Sequence, residues 1–201
     1  RNEAELEATA ENARKHGARV WTKTAEMADD VEVQLLAKAA LAEFGRIDIL
    51  VNNAGVAKHQ PFFDIDIETF HNVINVNLLA PMLLTQAFAP GMIERKSGKI
   101  VNISSRGAIR AIPTGATYCA SKAALQLMTQ AMAIEFGPHN VQANCVAPTV
   151  TMTPMGESAW PASPRRDAKL AKIPTGRFAE PEEVARAVLF LASSQSDFIN
   201  G

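Results

Sequence analysis

Apolar positions along the chain alternate between two spacings, one typical of helices and one typical of buried strands. Repeats of three and four residues predict helices at residues 3–16, 30–44, 67–95, 118–136, 165–172 and 181–193. Short, nearly continuous apolar runs predict strands buried on both faces at residues 18–22, 47–51, 99–103 and 141–146. Pro81 lies inside the longest helical stretch, and because proline cannot donate a helical hydrogen bond we expect a break there.

The order of these elements predicts the fold class. Strands that alternate with helices form right-handed crossovers, which build a parallel sheet with helices on both faces. No internal repeat and no linker interrupts the pattern, so we expect residues 1–201 to belong to one α/β domain with a doubly wound parallel sheet. Such sheets bind ligands at the carboxyl ends of their strands. The residues after Val51, Ile103 and Val146 are therefore the first candidates for a site.

Composition and charge narrow the possible partners. The 201 residues are 47% hydrophobic and 20% charged, as in an ordinary globular domain, and the net charge is −1. Because there is no basic excess, we expect no nucleic-acid partner. No apolar run reaches the ~18 residues of a membrane helix, so we expect no membrane partner. Cys119 and Cys145 lack the spacing of metal ligands and are interpreted as reduced thiols, which favours a cytoplasmic protein without a metal site.

Small and polar residues follow two of the predicted strands. The segment 52–55 reads Asn-Asn-Ala-Gly, and its small side chains would let a ligand approach the backbone, although a plain turn has the same composition. Ser104 and Ser105 follow the next strand. A serine hydroxyl at this place can donate to a substrate oxygen, and it can equally cap a helix or a turn.

Tyr118 and Lys122 stand four residues apart at the start of a predicted helix, which places them on one helical face. An ammonium group beside a phenol lowers the pKa of the phenol from ~10 toward neutral pH. Such a phenol can give a proton to a carbonyl oxygen or take one from an alcohol. The spacing also arises by chance in many helices, but Tyr118 is the only tyrosine of the chain.

With these motifs in order, the chain resembles the short-chain dehydrogenase/reductase family over essentially its whole length. The matching segments are 52–55 (Asn-Asn-Ala-Gly), Asn77, 103–105 (Ile-Ser-Ser), 118–122 (Tyr-Cys-Ala-Ser-Lys), 148–153, 173–178 and 181–185. The resemblance implies a Rossmann-like fold and an NAD(P)-dependent oxidoreductase that interconverts a secondary alcohol and a ketone. It also implies a homotetramer built from the two long helices.

The resemblance implies a role for each site residue. Tyr118 is expected to be the catalytic acid and base, with Lys122 lowering its pKa and contacting the nicotinamide ribose. Ser105 is expected to orient the substrate oxygen, and Asn77, which is a poor residue for a helix interior, to hold a water that links Lys122 to solvent. Besides Tyr118 and Lys122, the residues expected to contact NAD or NADP are Arg1, Met27, Asn53, Ala54, Gly55, Thr151 and Thr153.

Some features depart from the family pattern. Glu26 stands where the family has aspartate, and Thr149 stands where it has glycine. The glycine-rich loop that holds the cofactor's pyrophosphate is not found in the sequence. We therefore expect the N-terminal strand–helix–strand unit and the C-terminal strand of the fold to lie outside residues 1–201. Arg1 matches a position that often meets the 2′-phosphate of NADP, but the residue before it, which would distinguish NAD from NADP, is not in the sequence.

The substrate class is suggested by the segment 148–156 and by Trp160, which look most like the sugar-alcohol dehydrogenases of the family, such as the L-xylulose reductases. We expect a substrate loop at about 149–175, in which Trp160 either forms a wall of the pocket or anchors the loop. One alternative is a 3-oxoacyl-thioester reductase, for which the candidate cations at the entrance are Arg106, Arg110, Arg165 and Arg166. A second alternative is an inactive binding or scaffold protein on the same fold.

Overall fold

The computed structural model describes residues 3–201 and contains a three-stranded sheet in the order β1–β2–β3, with both strand pairs parallel. The strands are β1 (Ile49–Asn52), β2 (Gly98–Ile103) and β3 (Val141–Val146). The helices are α1 (Glu3–Lys15), α2 (Asp30–Phe44), α3 (Ile67–Ile74), α4 (Ala80–Arg95), α5 (Ala116–Phe136), α6 (Pro154–Ala159), α7 (Pro164–Leu170) and α8 (Pro181–Ala192). The prediction of an α/β fold with a parallel sheet is confirmed.

Local sequence signals determine where several helices begin and end. The Asp29 carboxylate accepts hydrogen bonds from the N–H groups of Val31 and Glu32 at 2.9 and 3.0 Å and so caps α2. The same helix ends at Gly45, whose φ of +74° is a left-handed conformation that glycine adopts without strain. Pro181 occupies the first turn of α8, where its missing N–H is not needed.

The two faces of the sheet pack against different helices. Side chains alternate between the faces of a strand, so Leu50, Ile100 and Ala143 share one face and join the apolar residues of α4 and α5 in the main core. On the other face, α8 packs against β2 and β3, and Val101 is fully buried there. Helices therefore cover both faces of the central strand.

Two expectations about strands are wrong. Residues 18–22 run through the structure without joining the sheet, because a strand needs a hydrogen-bonded partner and no described residue pairs with them. The run at 47–51 overlaps β1, but only one face of β1 is buried, since Ile49 is 48% and Val51 is 41% exposed. The reason is that α8 lies over the two strands on the far side of the sheet from this edge.

The expected break at Pro81 is also wrong in its form. The chain remains helical from α3 to α4 through a π-helical turn at Asn75–Leu79, where the Ala80 N–H donates to the Asn75 carbonyl, five residues back. Pro81 has no N–H to offer the carbonyl of Asn77, four residues before it. The wider turn accommodates the proline, so the helix widens in the turn before Pro81 instead of ending.

The continuous helical stretch Ile67–Arg95 contains an 18-residue window that is long and apolar enough to cross a membrane. Half of its most apolar window is buried inside the protein, where α4 packs on α2 and on the sheet. A core helix satisfies the same criteria of length and composition, so this finding is weak support for a membrane span.

Candidate active site

The carboxyl ends of the three strands meet at one edge of the sheet. Asn52 of β1 pairs with Asn102 of β2, which pairs in turn with Cys145 of β3. The pairing continues beyond the strands, since the Ser104 N–H donates to the Val146 carbonyl at 2.8 Å. Candidate residues that follow different strands are thus brought to the same place, as the sequence predicts.

Tyr118 and Ser105 lie beside each other at this edge. Tyr118 lies in the first turn of α5, with its hydroxyl close to that of Ser105. Burial raises the pKa of Tyr118, contrary to the expectation that Lys122 lowers it, and the neighbouring Ser105 hydroxyl opposes the rise. The Ser105 oxygen accepts from the Gly107 N–H at 3.0 Å, so it also caps a short turn.

Lys122 lies one turn further along α5 and is buried. Its Nζ donates to the Ile103 carbonyl at 2.7 Å, while the Ser104 hydroxyl donates to the Lys122 carbonyl at 3.1 Å. Burial lowers the pKa of Lys122 to about 8, and the nearby Cys145 thiol opposes this shift. The ammonium group is therefore tied to the end of β2 and is close to losing its proton at neutral to mildly basic pH.

Asn77 lies in the π-helical turn and is completely buried. Its amide oxygen accepts from the Val56 N–H at 2.9 Å, and its amide nitrogen donates to the Val56 carbonyl at 2.9 Å and to the Ser121 hydroxyl at 3.0 Å. The Ser121 hydroxyl donates in turn to the Tyr118 carbonyl at 2.7 Å. Asn77 thereby connects the loop after β1 to the first turn of the helix that carries Tyr118.

The backbone of Asn77 supplies a second polar group. Pro81 lacks the N–H that would bond the Asn77 carbonyl in a regular α-helix. This carbonyl therefore lacks its usual α-helical donor, which is compatible with the expected water-binding role of Asn77.

The residues expected to hold NAD or NADP lie beside this cluster. A Cβ added at Gly55 would lie 3.4 Å from both the Lys122 Nζ and the Asn77 Oδ1, so the backbone of Gly55 borders the two polar groups directly. A cavity of about 100 Å³ adjoins it and is lined in part by Met27, Asn53 and Ala54. The combination of an open glycine cradle, a cavity and a buried ammonium group fits the adenosine and ribose parts of such a cofactor.

Thr151 and Thr153 follow β3 and are half-buried. Thr151 forms an isolated bridge with Ala179, and the Thr153 hydroxyl caps α6 by accepting from the Gly156 N–H at 3.2 Å. The two threonines lie on the same side of the sheet as the other candidates, since they continue from the end of β3. Arg1, the expected contact to a 2′-phosphate, lies outside the described residues.

Trp160 packs inside the substrate loop. Its ring lies 6.0 Å from the ring of Phe178, a buried residue, and the Arg165 guanidinium stacks over it at 4.7 Å. These contacts support the anchoring interpretation of Trp160.

The sequence analysis did not identify several polar residues that support the site. Ser121 links Asn77 to Tyr118, and its position three residues after Tyr118 is the signal that could have shown it. A buried polar row crosses the sheet below, in which Asn52 donates to Asn102 at 2.7 Å and Asn102 donates to Thr129 at 2.8 Å. The Asn52 Oδ1 has no hydrogen-bond partner and adjoins the same cavity.

Comparison with known proteins places the chain in a family. A sequence model of the family described as enoyl-(acyl carrier protein) reductase matches residues 1–201. D-threitol dehydrogenase from Mycolicibacterium smegmatis is 43% identical over 176 residues, which are 88% of this chain and 67% of that protein. L-xylulose reductase from Mus musculus is 45% identical over 163 residues, which are 81% of this chain and 67% of that protein. The 3-oxoacyl-[acyl-carrier-protein] reductase from Thermotoga maritima is 39% identical over 173 residues, 86% of this chain and 70% of that protein.

A solved structure shows the same fold. The gluconate 5-dehydrogenase from Burkholderia cenocepacia, in complex with NADP and tartrate, superposes with a TM-score of 0.90 at 34% identity and covers 100% of this chain and 78% of that chain. The predicted family and the Rossmann-like fold are both confirmed by these similarities. The chain belongs to the short-chain dehydrogenase/reductase family of NAD(P)-dependent oxidoreductases.

Proposed function

We propose that the chain catalyses the NAD(P)-dependent interconversion of a secondary alcohol and a ketone on a sugar alcohol or its ketose. The observation that carries this proposal is the placing of Ser105 beside Tyr118 at the strand ends, with the buried ammonium group of Lys122 one helical turn away. The two relatives at 43% and 45% identity are a threitol dehydrogenase and a xylulose reductase, which supports the polyol substrate.

In the proposed reaction, the bound nicotinamide supplies or accepts the hydride. Ser105 holds the substrate oxygen beside Tyr118, and Tyr118 takes the alcohol proton during oxidation or returns it during reduction. Lys122 provides a positive charge that favours the phenolate. The Lys122 Nζ donates a hydrogen bond to the Ile103 carbonyl, and this bond holds the ammonium group in place at the end of β2.

Proton supply depends on the connection from Lys122 to solvent. The Asn77 carbonyl, which lacks its helical donor, is the group proposed to hold the intervening water. Met27, Asn53, Ala54 and Gly55 are proposed to line the adenosine end of the cofactor, Thr151 and Thr153 the carboxamide end, and Arg1 a 2′-phosphate.

Assembly and location complete the proposal. The exposed apolar residues of α5, Leu127 at 67% and Ile134 at 77%, support a homotetramer in which α4 and α5 meet the same helices of a second copy. Two free thiols support a cytoplasmic location. Light scattering coupled to gel filtration measures the mass of the assembly, and a monomer at micromolar concentration would contradict the tetramer.

The function is tested by supplying the purified protein with NAD or NADP and a series of polyols of four to six carbons. Formation of reduced nicotinamide that depends on the polyol supports the proposal. Turnover of an acetoacetyl thioester with no turnover of any polyol or ketose would favour the 3-oxoacyl-thioester reductase. Cofactor binding without turnover of either class would favour an inactive binding protein.

A further inference from the structure

Cationic side chains gather around the substrate loop. The segments 106–110 and 149–175 contain six cations and two acids, although the chain as a whole carries a net charge of −1. The cations are Arg106, Arg110, Arg165, Arg166, Lys169 and Lys172, and the acids are Glu157 and Asp167. These two segments therefore carry a local excess of positive charge.

Two of these cations, Arg106 and Arg110, lie in the turn that follows Ser105. Arg106 directly follows Ser105, and its N–H donates to the Pro148 carbonyl at 2.9 Å, which fixes it between the ends of β2 and β3. The Arg110 N–H donates to the Arg106 carbonyl at 3.0 Å, so the two arginines stand one turn apart and share a face.

The other cations come from α7 and the turn that follows it. The Lys169 Nζ lies 5.8 Å from the centre of the Trp160 ring, beside the Arg165 guanidinium. Burial and repulsion from Arg106, Arg110 and Lys172 lower the pKa of Lys169, so the cations of the two segments act on one another through space. Trp160 and Ser105 thus border the same positively charged region.

These charges are not neutralised by the protein. Among the described residues, no carboxylate lies within ion-pair distance of Arg106, Arg110 or Lys169. Arg177, which lies shortly after these residues in the chain, is by contrast paired with a carboxylate. It donates two hydrogen bonds of 2.6 Å to Glu183. Like charges held together without a partner repel one another, so the arrangement favours an anion that would bind among them.

We propose that the substrate carries an anionic group, a carboxylate or a phosphate, which Arg106 and Lys169 bind while Ser105 and Tyr118 hold the reacting oxygen. This inference rests on the proposed function and narrows its substrate from polyols in general to acidic or phosphorylated ones. A guanidinium group suits both anions because it can donate two parallel hydrogen bonds. A small anion fits better than an acidic carrier protein, since Arg106 and Lys169 are half-buried beside Trp160 and not fully on the outer surface.

The test compares three substrates of equal carbon number: a neutral polyol, the sugar acid and the terminally phosphorylated polyol. We expect kcat/KM to be at least about tenfold higher for one or both anionic substrates, and the preference to fall with added salt. The double variant Arg106→Gln/Lys169→Gln should reduce the anionic-to-neutral ratio of kcat/KM by about tenfold or more. The control Lys38→Gln removes a surface charge from α2 and should leave the ratio unchanged.

The outcomes separate this inference from the proposed function. Preference for the sugar acid assigns a carboxylate, and preference for the phosphorylated polyol assigns a phosphate. Equal or better turnover of the neutral polyol, with a ratio that the double variant does not change, overturns the anion inference and leaves the polyol function standing. Preference for an acetoacetyl thioester on a carrier protein, with no polyol turnover, overturns both.

Discussion

The side-chain amide of Asn77 makes two hydrogen bonds with the backbone of a single residue, Val56, both at 2.9 Å. Val56 follows the loop 52–55, and Asn77 lies in the π-helical turn before Pro81. A widened helical turn and a strand-end loop are thereby fixed to each other. The same amide contacts Ser121, so both are also fixed to the helix of Tyr118.

Replacement of Asn77 tests this connection. Asn77→Leu keeps the approximate size but leaves the Val56 N–H and carbonyl without a partner, which should destabilise the protein by about 2–4 kcal/mol. Denaturant unfolding followed by circular dichroism measures the loss. Asn72→Leu on α3 is the control and should change stability by less than about 0.5 kcal/mol. Equal effects of the two variants would contradict a special role for the Asn77 amide.

Lys122 should make the stability of the protein depend on pH. Its pKa is about 8 in the folded chain and 10.5 as the ordinary value, so the folded state binds fewer protons than the unfolded state between these pH values. Below pH 8, both states are protonated and the buried charge destabilises the fold fully. Its effect is relieved as the pH rises from about 8 to about 10.5.

The matching experiment is Lys122→Met, which removes the buried charge. We expect the variant to be more stable than the parent by about 1–3 kcal/mol at pH 7, with the gain shrinking toward pH 10. Urea unfolding at the two pH values measures the difference. The control Lys38→Met replaces an exposed lysine, and its free energy of unfolding relative to the parent should not change with pH. A stability increase for Lys122→Met that stays constant with pH would contradict the burial of the Lys122 charge.

Substitutions at Gly98 and Met92 should have non-additive effects on the free energy of unfolding. A Cβ built at Gly98 comes within 2.6 Å of the Met92 Cβ, Cγ and Sδ atoms. Gly98→Ala should therefore destabilise the protein by about 1–3 kcal/mol, and Met92→Ala by about 2–5 kcal/mol through a cavity. The double variant should lose somewhat less than the sum of the two, because Met92→Ala removes the Cγ and Sδ atoms from the contact and leaves only the Cβ. Additive losses measured by denaturant unfolding would show that the two positions do not clash.

Gly156 should control the substrate loop without controlling the fold. A Cβ at Gly156 would overlap the Thr151 carbonyl oxygen, so Gly156→Ala must displace α6 or the residues after β3. We expect the KM for substrate to rise about tenfold while the melting temperature changes little, because the loop lies outside the main core. Ser158→Ala on the same helix is the control. An unchanged KM for Gly156→Ala would show that the loop does not position substrate.

Sequence periodicity predicted the elements whose signals are local or fully buried. The predicted strand at 141–146 and the predicted start of α2 at residue 30 match the structure, because burial on both faces and helical periodicity leave clear patterns. The strand expected at 18–22 failed because pairing depends on a neighbour, and the exposed face of β1 could not be foreseen because apolar residues do not show which helix covers them.

The site was predictable to a similar extent. The family motif indicated Tyr118, Ser105 and Lys122, and the structure brings them to the ends of adjoining strands. Ser121 was not foreseen, because a serine that bonds back to a helix carbonyl leaves no mark in the hydrophobic pattern. The repulsion between Arg106 and Lys169 was not foreseen, because it depends on how the substrate loop folds back and the sequence spacing does not determine that fold.

The central claim is that Tyr118 performs the proton transfer, and Tyr118→Phe tests it most directly. The variant keeps the ring but loses the hydroxyl that lies beside Ser105. In single-turnover measurements with bound cofactor and saturating substrate, the rate of hydride transfer should fall by about 10²–10⁴-fold. Cofactor affinity, measured by fluorescence titration, should remain close to that of the parent. Hydride transfer at the parent rate in Tyr118→Phe, with cofactor bound normally, would contradict the account.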